Sequence, residues 1–345
     1  MKAAMKNRSC KFTMKPISIE DTLKLIRALK NSSATGVDYI DTRTIKLGAE
    51  VLAPAIQHII NLSISSSTFP TVWKWHKVVP LLKSTDCDRI LPKSYRPVAL
   101  LPVLSKLLEK AVFNQLVEYL EDNDLVHPNL HGSRASHSTA TALTQLYDTW
   151  AEEVEQGNMV GVLLCDQSAA FDLCDHSLLI DKLKLMGVEE RAALWFSSYL
   201  SGRRQSCMID GQLSAPLDIP ACGVPQGSIG GPILWLIFTC DQPDIIHDHE
   251  VDAQKADRGC SDKAVYAGQG GEGELPMQED HGQGVGGCGV LVGYVDDGAY
   301  SYAHKDPAIL SQVLTYKFKK LEEWMNANKL VINPDKTHLM VMGEV

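Results

Sequence analysis

Val290-Leu291-Val292-Gly293-Tyr294-Val295-Asp296-Asp297-Gly298-Ala299-Tyr300-Ser301-Tyr302 is the stretch on which the reading of this chain turns. Two runs rich in β-branched, aromatic and small residues flank Asp296-Asp297-Gly298, and an Asp-Gly pair between such runs is a strong short-range hairpin signal. A β-hairpin with two carboxylates at its tip is expected. Carboxylates held that close repel, so the tip is stable chiefly when a cation neutralises it or water solvates it well. Asp-Asp-Gly is also ordinary turn chemistry, and the motif alone leaves both readings open.

A second apolar strand that ends in an acid changes the balance. Val160-Gly161-Val162-Leu163-Leu164-Cys165 is a continuous apolar run of the kind a buried strand needs, and Asp166 stands at its exit. Three carboxylates at the ends of neighbouring strands would make a hard, oxygen-rich site of the type that holds Mg²⁺ together with substrate phosphates. Two such ions about 3.5 to 4 Å apart can clamp the attacking and leaving oxygens of a phosphoryl displacement.

Working outward, five blocks occur in a fixed order: Ser94-Tyr95-Arg96-Pro97-Val98-Ala99-Leu100, Asp166 to Asp172, Gly223-Val224-Pro225-Gln226-Gly227-Ser228, Tyr294-Val295-Asp296-Asp297, and Asn333-Pro334-Asp335-Lys336-Thr337. At these residues the chain resembles the reverse transcriptases, more closely those of non-LTR (LINE-type) retrotransposons. Each block is a modest match, but five in order over about 240 residues is a specific signal.

The resemblance implies an α+β fold of the right-hand polymerase type. Its palm, an antiparallel sheet with packed helices, would carry Asp166, Asp296 and Asp297, with a fingers subdomain before it. Val345 follows closely on Lys336, so the thumb is expected to be lacking and duplex affinity to be low. The implied activity is RNA-directed DNA polymerase: nucleotidyl transfer from a dNTP to a DNA primer 3′-hydroxyl on an RNA template. Asp166, Asp296 and Asp297 would hold two Mg²⁺ ions, with Mn²⁺ a possible substitute.

By the same likeness Lys83 and Arg96 would grip the incoming triphosphate, with Lys77 as a competitor for the lysine's place. Arg offers a forked donor and Lys a point charge, which suits that task. Phe171 would pack against the nucleotide sugar and select deoxynucleotides by shape. Gln226 is the candidate nucleotide contact in a glycine-bearing loop. Arg134, in the polar loop His131-Gly132-Ser133-Arg134, is a candidate phosphate contact for the template. Lys336 would lie near the departing pyrophosphate as a general acid, and Asp172 is structural. Gly230-Gly231 departs from the family pattern, which usually has a large apolar residue before the second glycine; a looser helix start is expected there. The rival readings are a catalytically inactive nucleic-acid-binding remnant of such an element and a group II intron maturase-like polymerase. An RNA-templated RNA polymerase shares the palm, but Phe171 argues against it.

Composition sets outer bounds. The 345 residues are 45% hydrophobic, enough for a large packed core. There is no apolar run of membrane-spanning length, and the N-terminus has no apolar signal core, so an intracellular protein is expected. Nine cysteines without a CxxC pair read as reduced thiols. The net charge of -9 is unusual for a partner of nucleic acid, yet residues 241–289 hold eleven acids against three bases and account for -8 of it.

That segment also has ten glycines in its forty-nine residues and few large apolar side chains, a composition unable to bury a core. The expected organisation is a tail over 1–15, fingers and the start of the palm over 16–158, palm over 159–240, an acidic Gly-rich disordered insertion over 241–289, and palm again over 290–345. Further expected elements are a capped helix from Ser18, a two-stranded fingers ribbon around Trp73–Lys83 and Tyr95, hairpins turning at Asp210-Gly211 and at Asn333–Lys336, and a helix opened by Asp306-Pro307. His127 and His131 have no ligand-spaced partner and read as loop histidines.

Overall fold

The computed structural model of the protein describes residues 10–167, 170–245 and 289–343. Most of the acidic segment, 246–288, therefore lies outside the described residues. In chain order the main elements are helices α1 (Ile19–Arg27), α2 (Thr42–Leu47) and α3 (Ala49–Ser66), strands β1 (Trp75–Leu82) and β2 (Tyr95–Leu100), helices α4 (Val103–Asp122) and α5 (Thr139–Glu155), and strand β3 (Met159–Asp166). Helices α6 (Ala170–Leu173), α7 (His176–Leu185) and α8 (Glu190–Leu200) follow, then strands β4 (Arg204–Ile209), β5 (Gln212–Leu213) and β6 (Leu217–Asp218) and helix α9 (Gly230–Phe238). The C-terminal part holds β7 (Val290–Tyr294), β8 (Asp297–His304), α10 (Pro307–Ala327) and β9 (His338–Met342).

Local signals account for several boundaries. The Ser18 hydroxyl accepts from the Asp21 amide while the Asp21 carboxylate takes the Ser18 N–H, a complete capping box. Asp306 caps α10 with Pro307 at its first turn. The β4–β5 hairpin turns at Asp210-Gly211, both at positive φ, as a type I′ turn requires. The tail expected over 1–15 extends too far: Phe12 is buried, and its backbone exchanges hydrogen bonds with Gly187 and Glu189.

Two expected hairpins are differently built. β1 and β2 form no isolated ribbon, because β1 also pairs in parallel with β4 through Trp75↔Arg204 to Val78↔Cys207. A two-stranded ribbon is marginal and leaves an open edge; β4 closes that edge and buries His76, Lys77 and Ser206. The resulting five-stranded sheet runs β2-β1-β4-β5 with β6 on β4, so segments on both sides of residue 158 share it. At the C-terminus, residues 330–332 and β9 do not pair with each other. Instead β9 lies antiparallel on β3, whose free edge offers a longer ladder from Leu164↔His338 to Val160↔Met342.

The second sheet has the order β7-β8-β3-β9, all antiparallel. Both faces are covered, which is why β3 reads as a continuous apolar run. On one face Leu291, Tyr300 and Tyr302 pack with Leu310, Val313 and Leu314 of α10. On the other, Val160, Val162, Val292 and Ala299 pack with Ala142 and Leu146 of α5. A Cβ at Gly161 would stand 2.4 Å from a Leu314 methyl, so a side chain there would have to displace that methyl of α10. The largest apolar cluster unites α3, α4, α7, α8 and α9 around Phe69, Phe113, Trp195, Phe196 and Tyr199.

Candidate active site

Asp166, the last residue of β3, is the direct Cα partner of Asp297, the first residue of β8. The turn between β7 and β8 is Val295-Asp296, since Tyr294 pairs with Asp297 and Gly293 with Gly298. The Asp-Gly pair expected at the tip is thus one step into a strand, with Gly298 opposite Cys165. Pairing with β3 sets the register and overrides the local turn signal.

The cost of this register falls on Val295, a β-branched residue at φ 60. Such backbone persists when its surroundings over-determine it. Here the Trp235 indole N–H donates to the Val295 carbonyl at 2.7 Å. The loop before α5 closes the other side: His131 N–H donates to Gly293 O, Gly293 N–H donates to Asn129 O, and a Cβ at Gly132 would lie 2.7 Å from the Val295 nitrogen. Phe171 stacks on Trp235 with ring centroids 5.7 Å apart. One buried indole thus joins the strained turn to the aromatic ring after Asp166.

A cation already faces the acids. Lys336 Nζ is 3.2 Å from Asp166 Oδ2 and 3.3 Å from Oδ1. Asn333 holds the same aspartate twice, its side-chain amide donating to Oδ2 at 3.2 Å and its backbone N–H to the Asp166 carbonyl at 3.0 Å. The Asp297 carboxyl is pushed above the usual carboxylate range, first by burial and then by the charges of Asp296 and Asp166, against a smaller downward pull from Lys336. These are the marks of a cluster short of positive charge.

Among the described residues no group of three or more His, Cys, Asp or Glu side chains converges into a ready-made metal cage. Mg²⁺ does not require one, because it is commonly bound through one or two carboxylates together with substrate phosphates and waters. Asp166 and Asp297, paired across the ladder with Asp296 in the adjoining turn, fit that description. Lys336 stands on Asp166 in the manner of a counter-ion.

The raised Asp297 proton affinity has a stability consequence. The folded chain binds this proton more tightly than the unfolded chain, so ionisation destabilises the fold. The penalty is absent well below pH 4, grows as pH rises through the carboxylate range, and is complete above the folded pKa. Because Asp297 is exposed and solvent screens its charge, the effect is small: with EDTA present, Asp297→Asn is expected to melt slightly above the wild type at pH 7, the gap closing as pH falls below about 4. Thermal melts across pH check this, and a gap that widens on acidification would contradict it.

The remaining candidate residues divide. Lys83 and Arg96 are exposed, and neither enters an ion pair among the described residues. Lys77 is buried, donates to Thr35 Oγ1 at 3.2 Å and lies 4.8 Å from the Tyr39 ring centre, which removes it as a competitor. Gln226 is exposed while its carbonyl accepts from Ala99 N–H at 2.9 Å. Gly227, at φ 114, has the Ala99 oxygen 2.7 Å from where a Cβ would sit, so the glycine is required there. Arg134 is turned inward, donating through Nε and Nη2 to Glu121 at 2.9 and 2.8 Å and through Nη1 to two carbonyls. It latches the loop to α4 instead of presenting its guanidinium to a template phosphate. His131 is bound to Thr141 and Gln145, in keeping with a loop histidine. The Asp172 carboxyl is held above its usual range by burial alone.

Three contributors escaped the sequence reading. Asn333 was visible as part of a block but carried no signal for its bond to Asp166. Trp235 sits in an apolar helix that reads as core. Glu109, in the middle of α4, is fully buried; it accepts from Ser105 Oγ and Ile229 N at 2.8 Å each and from Gly230 N at 3.4 Å. It caps α9, whose own preceding residue supplies no side-chain cap. The looser start expected at Gly230-Gly231 is therefore not found: a Cβ on Gly230 would stand 2.3 Å from the Phe113 ring, which occupies that space.

With this geometry in place, a family model described as reverse transcriptase (RNA-dependent DNA polymerase) matches residues 82–344, and the chain belongs to that family. Its relatives include the RNA-directed DNA polymerase from mobile element jockey of Drosophila funebris, 32% identical over 232 residues, covering 66% of this chain and 25% of that protein. The probable RNA-directed DNA polymerase from transposon BS of Drosophila melanogaster is 29% identical over 243 residues, covering 70% of this chain and 26% of the relative. The chain spans about a quarter of the length of these relatives. No helix among the described residues is long and apolar enough to cross a membrane.

Proposed function

We propose that this chain supplies the RNA-directed DNA polymerase centre of a non-LTR retrotransposon, joining deoxynucleotides to a primer 3′-hydroxyl under the direction of an RNA template. The observation that carries this reading is the direct pairing of Asp166 with Asp297 at the ends of β3 and β8, with Asp296 in the adjoining turn. The sheet of β3, β7, β8 and β9 serves as the palm, and the sheet around β1 and β2 belongs to the fingers. Asp166, Asp296 and Asp297 are the residues that would hold two Mg²⁺ ions, which when bound would supply charge stabilisation for the attacking and leaving oxygens.

The chain's own groups do the rest. Lys83 and Arg96, exposed on and beside the β1–β2 ribbon, attract and orient the triphosphate. Gln226, fixed by its backbone to Ala99, borders the nucleotide. Lys336 holds a proton within reach of the acids and gives it to the leaving pyrophosphate, which requires that it first exchange Asp166 for the phosphate. Primer extension on matched RNA and DNA templates with the purified chain tests the proposal. RNA-directed products that need a divalent ion support it, and their absence across ion type and concentration counts against it.

In this reading Phe171 serves as the sugar gate. Phe171→Val is expected to raise ribonucleotide incorporation roughly tenfold by opening space beside the 2′-hydroxyl. Because the ring also stacks on Trp235, the melting temperature should fall by a few degrees. Competing ribo- and deoxynucleotides in one extension assay measure the ratio; an unchanged ratio with a lowered melting temperature would assign the ring to packing alone.

A further inference from the structure

A cavity of about 440 Å³ lies between the first sheet and the loop from Ile219 to Gln226. Its back wall is one face of that sheet. His76 and Gln205 are direct partners across β1 and β4, Arg203 lies two residues before Gln205, and Val78 faces Ala99 across β1 and β2. Arg96 pairs with Leu81, one residue out of phase with these positions, so strand alternation puts it on the opposite face. Arg96 and Lys83 do not line the cavity, whereas Gln226 does.

Arg203 is 2% exposed, yet both terminal nitrogens of its guanidinium lack a hydrogen-bond partner among the described residues. Its Nε donates to the Tyr199 carbonyl at 2.7 Å, and the guanidinium lies over the Tyr199 and Phe69 rings, 4.3 and 5.4 Å from their centres. Those contacts fix the plane and leave both terminal nitrogens without an acceptor, buried in a residue that lines the cavity. Nδ1 of His76, itself 2% exposed, is likewise without a partner. Buried guanidinium donors with no acceptor are costly, and native folds seldom leave such donors unmatched.

The surrounding charges agree. Burial lowers the proton affinity of Lys74, His76 and His176, with a smaller push in the same direction from the Arg203 charge, and His76 is brought down to about 4. The acid on the wall, Asp172, feels burial alone, so it is no partner for Arg203.

We propose that this cavity is a phosphate-binding site in which the terminal nitrogens of Arg203 hold two oxygens of the anion as a fork and Nδ1 of His76, protonated when the anion is present, donates to a third. A guanidinium fork matches carboxylate and phosphate alike. The choice of phosphate rests on the proposed polymerase reading, since Gln226 lines the same cavity; the anion site itself does not. The bound phosphate would fasten the loop that carries Gln226 to the back of the β1–β2 ribbon. It is either a free or nucleotide phosphate or a strand phosphodiester.

The test uses the whole chain in EDTA, so that neither metal nor extension enters the readout. Inorganic phosphate, a deoxynucleoside monophosphate, a short single-stranded RNA and acetate are titrated by calorimetry. Arg203→Met should weaken the phosphate-bearing ligands about tenfold or more, and Arg203→Lys less. In the wild type, the imidazole ¹⁵N resonances of His76 should move on saturation and its pKa should rise, a readout that survives any failure of the variants to fold. Arg203-dependent affinity for inorganic phosphate or the mononucleotide identifies the first source, and for RNA alone the second. Equal affinity of wild type and Arg203→Met, an unmoved His76, or acetate binding as tightly as phosphate would overturn the proposal.

Discussion

Asp166→Asn is expected to lower primer extension on an RNA template by roughly three orders of magnitude while leaving the melting temperature within a few degrees of wild type. The amide keeps the size and one carbonyl oxygen, so the Asn333 contact survives in part, and the backbone bond from Asn333 N–H to the Asp166 carbonyl is untouched. What disappears is the negative charge that faces Asp297 across the ladder and that Lys336 now neutralises. Removing it lowers the attraction for divalent ions and frees Lys336. It also removes one of the like charges that raise the Asp297 carboxyl, so the fold loses repulsion as well as an ion pair. Extension measured with the purified variant across a range of divalent-ion concentrations checks this. Activity within tenfold of wild type would remove Asp166 from the proposed centre.

Glu109→Ala is expected to cost about 3 kcal/mol, read as a lowered urea midpoint with an unchanged slope. The carboxylate is fully buried and accepts from Ser105, Ile229 and Gly230. Its truncation leaves two backbone donors and a hydroxyl facing apolar surroundings, and withdraws a negative charge from the positive end of the α9 dipole. Glu109→Gln, which keeps an acceptor oxygen, should cost about 1 kcal/mol. A Glu109→Ala variant within about 0.5 kcal/mol of wild type would mean that these donors find other partners and that α9 needs no cap from α4.

The features legible in the residues alone are local or nearly so. Ser18 with Asp21, Asp306 with Pro307, and the Asp210-Gly211 turn work through atoms a few residues apart, so their chemistry is written in consecutive letters. The apolar run ending in Asp166 and the second run beside Asp296 and Asp297 also declared themselves, because a strand buried on both faces must be apolar along its length. The five blocks pointed to the family that the comparison then matched over residues 82–344.

Long-range strand pairing sets where the turn beside the acids falls. The local Asp-Gly signal favoured one register, whereas eight paired positions between β3 and β8 favour another and leave Val295 to take the positive φ. Tertiary packing likewise made Glu109 the cap of a helix 120 residues away, turned Arg134 from the solvent to Glu121, and set Trp235 against both Phe171 and Val295. In each case the partner is distant in the chain and the residue type is common in an ordinary helix or loop. A single side chain does not announce which remote backbone donor or acceptor will be left without a mate. That is settled when sheets and helices close on each other and every buried polar group must find a partner in the space that remains.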